Sequence, residues 1–155
     1  MKISVALAGV ASLGIETAPF IYFVEKHPTY IDRMRTIFQQ VNTGHLEVFA
    51  SAITLTEVLV MPIQTGHAAY QREYRDMLLN TEHITIVSVS PAIAERAAHL
   101  RAKYRLRTPD ALHVATAILS GCNAFLTNDT GLRRVTELQV LLVDELEIDP
   151  PAEST

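Results

Sequence analysis

Thr108-Pro109-Asp110-Ala111-Leu112-His113-Val114-Ala115-Thr116-Ala117, with the short run Ala124-Phe125-Leu126-Thr127 soon after it, decides how the chain is read. Threonine followed by proline is a helix start, a capping hydroxyl before the residue best suited to the first helical position. This helix should reach about Ser120. The apolar run after it fits a buried strand. The same order occurs upstream, where Ile84 to Val89 is a β-branched strand, Ser90-Pro91 opens a helix, and that helix runs to about Tyr104. Nearer the beginning, Leu13-Gly14-Ile15 ends a first strand and Pro19 opens a helix with Phe20, Tyr22, Phe23 and Val24 on its apolar surface. His27-Pro28 breaks it. Residues 30–41 carry Ile31, Met34, Ile37, Phe38 and Val41 at helical spacing, and Asn42-Thr43-Gly44 is a stop signal. Leu46 to Ser51 reads as a second strand, Ile53 to Ile63 and residues 67–80 as helices, Thr130 to Val135 as a short helix, and Val140 to Val143 as a fifth strand. Strands alternating with helices predict an α/β domain around a mainly parallel sheet.

The bulk numbers agree. A chain of 155 residues with 48% apolar residues can bury one substantial core, so residues 1–148 are expected to form a single domain. Residues 149–155, Asp-Pro-Pro-Ala-Glu-Ser-Thr, read as an unstructured tail. The net charge of −4 gives no global basic footprint for nucleic acid, but a divalent ion at an acidic site would reverse the local sign. A single cysteine, Cys122, excludes an intramolecular disulfide and fits a reducing, cytoplasmic setting. The segment Met1-Lys2 followed by Ile3 to Ile15 resembles a short signal peptide but is too short to span a bilayer. It is read instead as mature sequence leading into the first strand, and no membrane association is expected.

Open parallel sheets bind ligands beyond the carboxyl ends of their strands. Four acids fall there. Glu16 directly follows the first strand, Glu57 lies early in the helix after the second, Asp110 begins the helix quoted above, and Asp129 follows the fourth strand. Each has an ordinary alternative. Glu57 could be a solvated helix residue. Asp110 could complement its helix dipole. Asp129, in Thr-Asn-Asp-Thr-Gly, could cap a turn. Glu16, between an apolar strand and an apolar helix, is harder to explain that way, because a buried charge needs a partner. As a set, clustered carboxylates repel one another, and a hard divalent cation relieves that repulsion. Such an ion would also lower the pKa of bound water and stabilise charge developing on a phosphodiester.

The motifs carrying these acids resemble those of the PIN-domain ribonucleases. Gly14-Ile15-Glu16-Thr17-Ala18-Pro19 resembles the family's opening, where a strand ends in an Asp-Thr pair followed by a small or polar residue and an apolar helix. Thr54-Leu55-Thr56-Glu57-Val58-Leu59 resembles the second motif, Thr108 to Ala117 the third, and Phe125-Leu126-Thr127-Asn128-Asp129 the last. The likeness runs in order from about Gly14 to Val143. It implies an α/β/α sandwich with a five-stranded sheet. It also implies an endoribonuclease dependent on Mg²⁺ or Mn²⁺, often the VapC-like toxin of a toxin–antitoxin pair. Such a toxin forms a homodimer and has a protein antitoxin as partner. Carried over, Glu16, Glu57, Asp110 and Asp129 would be catalytic metal ligands, and Thr127 would support them by hydrogen bonding. Where the family usually has aspartate, this chain has Glu16. One extra methylene moves the oxygens by about 1.5 Å, which octahedral Mg²⁺ tolerates less well than Mn²⁺. The alternative is therefore a catalytically weakened module of the same fold that binds RNA or a protein.

His113 neighbours Asp110 on its helix, as a packed core histidine or a metal contact. Arg133 and Arg134, after the Asp129 loop, could hold RNA phosphates or be ordinary surface charges. Lys26 and Arg107 are weaker candidates of the same kind. A nucleotide-binding enzyme is disfavoured by the lack of a glycine-rich phosphate loop, and a serine hydrolase by the lack of Gly-x-Ser-x-Gly.

Overall fold

The computed structural model describes residues 1–153; Ser154 and Thr155, the last two of the expected tail, lie outside the described residues. Five strands, β1 (Ser12–Ile15), β2 (Glu47–Ser51), β3 (Ile84–Val87), β4 (Ala124–Thr127) and β5 (Gln139–Leu142), form one sheet in the order β3-β2-β1-β4-β5. Every pairing is parallel. The helices are α1 (Ile3–Ala6), α2 (Thr17–Val24), α3 (Ile31–Asn42), α4 (Ile53–Thr65), α5 (Ala68–Leu79), α6 (Pro91–Tyr104) and α7 (Thr108–Leu119). Two 3₁₀ turns, Thr130–Arg134 and Val143–Glu145, flank β5. An all-parallel sheet needs cover on both faces, and here it has it. Side chains of α1 to α5 pack with Leu13, Ile15, Val48, Ala124 and Leu126 in one layer, while α6 and α7 pack with Phe125 in the other. The α/β/α expectation is met, and the sheet is wholly rather than mainly parallel.

Strand alternation sets which residue faces which layer. Leu13 and Ile15 point into the larger layer, and Gly14 between them faces α7. A Cβ on Gly14 would stand 2.5 Å from Ala117 Cβ and 3.0 Å from Phe125 Cδ2. The pair Gly14 and Ala117 thus lets α7 lie close against the central strand, and this fixes where the start of α7 falls.

Several boundaries differ from expectation. The helix after the first strand begins at Thr17, not Pro19, so Glu16 occupies the position just before it. The serine cap of α6 is present, Ser90 Oγ accepting from Ile93 N at 3.2 Å. The matching cap of α7 is not: the helix already includes Thr108, and the residue before it, Arg107, makes no side-chain cap bond. Residues 3–6 form a helical turn that the sequence pattern did not suggest. No helix among the described residues is long and apolar enough to cross a membrane.

Candidate active site

The carboxyl edge of the sheet opens into a cleft of about 350 Å³ whose lining includes Glu16, Glu57, Asp110 and Asp129. A larger groove of about 430 Å³, between α2, α3 and α5, is mainly apolar and contains none of the four. Glu16 is fixed by its backbone, its N–H extending the β1–β4 ladder to Leu126 O at 3.0 Å. Thr127, fully buried at the end of β4, donates its hydroxyl to Glu16 Oε2 and accepts from Asp129 N at 3.0 Å. It therefore ties the first acid to the last. Asp129 caps the 3₁₀ turn after β4, its Oδ1 accepting from Gly131 N at 2.8 Å. Asp110 is 8% exposed and accepts from Arg107 Nε through Oδ2 at 3.3 Å. Glu57, on α4, accepts through Oε1 from His113 Nε2 at 2.6 Å and from Thr17 Oγ1 at 3.1 Å.

A common pattern follows. Each carboxylate is held through one oxygen by a nearby donor, and among the described residues its second oxygen takes no hydrogen bond. The four are drawn to different donors, as repelling charges should be. No three His, Cys, Asp or Glu side chains among the described residues stand close enough to hold an ion as placed. The chemistry of the donor set nonetheless fits one: four carboxylates in a single cleft, each with a spare oxygen, suit a hard divalent cation. The electrostatics also fit. Burial pushes the Glu16 carboxyl above the usual carboxylate range, the nearby charges of Asp110 and Asp129 add to this, and the Thr127 hydroxyl opposes it. Glu57 goes the other way, held below that range mainly by its hydrogen bond from His113.

A family model described as PIN domain matches residues 15–138, a span that includes all four acids. The chain belongs to the PIN-domain family. Solved structures share the fold at low identity. VapBC2 from Rickettsia felis, bound to a DNA fragment from its promoter, matches with a TM-score of 0.68 and 18% identity over 84% of this chain and 98% of that one. A toxin–antitoxin complex from Klebsiella pneumoniae matches with a TM-score of 0.64 and 23% identity over 86% of this chain and 98% of that one. DNA-bound VapBC from Salmonella typhimurium gives a TM-score of 0.67 and 14% identity over 86% and 98%. No curated protein matches the chain by sequence.

In this PIN domain the four acids line one cleft, and of the arginines singled out in the sequence Arg107 lines it with them while Arg133 and Arg134 do not. Arg133 pairs with Glu145, and Arg134 Nε donates to Gly131 O at 3.0 Å; neither lines the cleft. The cation at the rim is Arg107, its side chain 81% exposed. Two further hydroxyls, of Thr17 and Thr54, lie 3.3 Å apart beside Glu57 and have no role in the sequence-based expectation. Tyr22 and Asn128, equally absent from that expectation, are joined at 3.2 Å across the cleft, with Asn128 Oδ1 also accepting from Asp144 N. The available signal was position: Thr17 and Asn128 each adjoin an acid already singled out.

Proposed function

We propose that this PIN domain is a metal-dependent endoribonuclease that hydrolyses RNA phosphodiesters, and that it serves as the toxin of a toxin–antitoxin pair. The observation that carries the reading is the convergence of four carboxylates, from the ends of β1 and β4 and the helices α4 and α7, on one cleft with an oxygen of each left over. Glu16, Glu57, Asp110 and Asp129 would hold Mg²⁺ or Mn²⁺. When bound, such an ion supplies charge neutralisation at the phosphate and lowers the pKa of a water molecule. Thr127 keeps Glu16 and Asp129 in fixed relation while substrate enters. Arg107, exposed and among the described residues paired with Asp110, would exchange that carboxylate for an RNA phosphate. The fold's likeness to subunits of toxin–antitoxin complexes supports an antitoxin protein as partner. A homodimer in the cytoplasm completes this reading.

A second reading has its own observation. Glu16 stands where the family usually has aspartate, and no three of the acids are grouped closely as placed. On that reading the domain binds RNA or a protein without cutting.

The test is cleavage of a mixed set of structured and single-stranded RNAs in EDTA, Mg²⁺ and Mn²⁺. Cutting that requires the ion and falls at least about 100-fold in Asp110→Asn is expected. Loss of growth on expression, relieved by the same substitution, would identify the toxin. Folded protein that cuts nothing in either ion, while Glu16→Asp cuts, would establish the weakened module instead.

A further inference from the structure

His113 lies three positions after Asp110 on α7 and is only 3% exposed, yet its ring reaches across to α4. Its Nε2 is 2.6 Å from Glu57 Oε1, and Thr17 Oγ1 is 3.1 Å from that same oxygen. Two donors from different elements thus converge on one carboxylate oxygen. Glu57 Oε2 takes no hydrogen bond among the described residues, and Glu57 lines the cleft. The other ring nitrogen, Nδ1, is buried with no partner among the described residues. An orphaned buried N–H is rare, so the hydrogen is assigned to Nε2, which has an acceptor, and Nδ1 is left bare. A histidine serving only as core filling would have no reason to direct its one donor at a carboxylate of the cleft.

We infer that His113 is a positioning residue: its Nε2–H, together with the Thr17 hydroxyl, fixes Oε1 of Glu57 so that Oε2 is left to bind a divalent ion in the cleft. The inference rests on the ion-dependent reading above. It makes α7 responsible for two of the four carboxylates, Asp110 directly and Glu57 by way of the ring. Groups that hydrogen-bond to metal ligands orient them, and their removal commonly weakens metal binding by about 10- to 100-fold.

The experiment is a calorimetric Mn²⁺ titration of the full chain as wild type, His113→Phe and His113→Gln, each also in a Glu57→Gln background, with thermal unfolding to confirm folding. His113→Phe keeps a flat ring and removes the donor, and should weaken Mn²⁺ binding about tenfold or more. His113→Gln keeps a donor and should restore most of the loss. In the Glu57→Gln background, His113→Phe should cause no further loss, because the ring acts only through that carboxylate. Wild-type affinity in folded His113→Phe would overturn the inference alone. So would an equal additional loss in the Glu57→Gln background, which would assign the effect to packing. A wild-type chain that takes up no Mn²⁺ would overturn the underlying reading and this inference with it. Should His113→Phe not fold, His113→Leu, with a smaller side chain, carries the same comparison.

Discussion

A carboxyl group half withdrawn from water, as Glu16 is, opposes folding at neutral pH unless something compensates for it. Its pKa in the fold lies above the unfolded value near 4.5. Its contribution to stability is therefore fully present below that value and is lost as pH rises through the raised one. Glu57 has the opposite sign: its lowered pKa stabilises the fold above pH 4.5, and that support is lost as pH falls through the lowered value. Glu16→Gln should accordingly raise the Tm of the ion-free protein at pH 7. The gain should shrink as the pH is taken below 4.5 in a series of thermal melts. Addition of Mn²⁺ should raise the wild-type Tm more than that of the variant. The acids themselves were legible in the sequence, because order along the chain and position after strands depend only on local pattern. Which oxygen each donor takes was not, since it depends on rotamers and on residues far away. His113 and Glu57 are 56 positions apart, and Arg133 is drawn off by Glu145 rather than toward the cleft.

At the level of elements, the close approach of α7 to β1 matters most. Gly14→Ala would drive a methyl group to 2.5 Å from Ala117 Cβ, inside any normal contact distance. Overpacking of this kind costs about 1–3 kcal/mol, and α7 would have to shift, taking Asp110 and His113 with it. Thermal melts should show a Tm several degrees lower, and Mn²⁺ affinity should fall although no ligand is changed. Most elements were legible because their signals are local: β4 falls where its apolar run predicts, and Ser90-Pro91 starts α6. Two misses have physical reasons. Thr108 lies inside its helix rather than capping it, because the extended backbone ends one residue earlier, at Arg107. The turn α1 is four residues long, too short to show a period, and is held by contacts that no window of sequence contains.

Those contacts belong to the molecule as a whole. Residues near the two ends of the described chain clasp each other. Ile3 N donates to Glu147 O at 2.9 Å, Lys2 pairs with Glu147 at 3.0 Å, and Ser4 N donates to Asp149 at 3.0 Å. Ile3, completely buried, plugs the larger core layer beside α3. Ile3→Ala should lower stability by about 2–5 kcal/mol through the cavity it leaves, as measured by urea unfolding, while leaving the order of the cleft's acids untouched. The strand order has a different kind of outcome. β1 is made early but becomes the middle of the sheet only when β4 arrives, and the Glu16–Thr127 bond joins positions 111 apart. Long-range parallel pairing of this sort forms slowly and late. During translation, the ribosome must extend the chain past Asp129 before all four acids exist, and past β5 before the sheet can close around them. A nascent copy of the domain therefore leaves the exit tunnel with its acids dispersed, and the cleft is assembled only once β4 and β5 have followed.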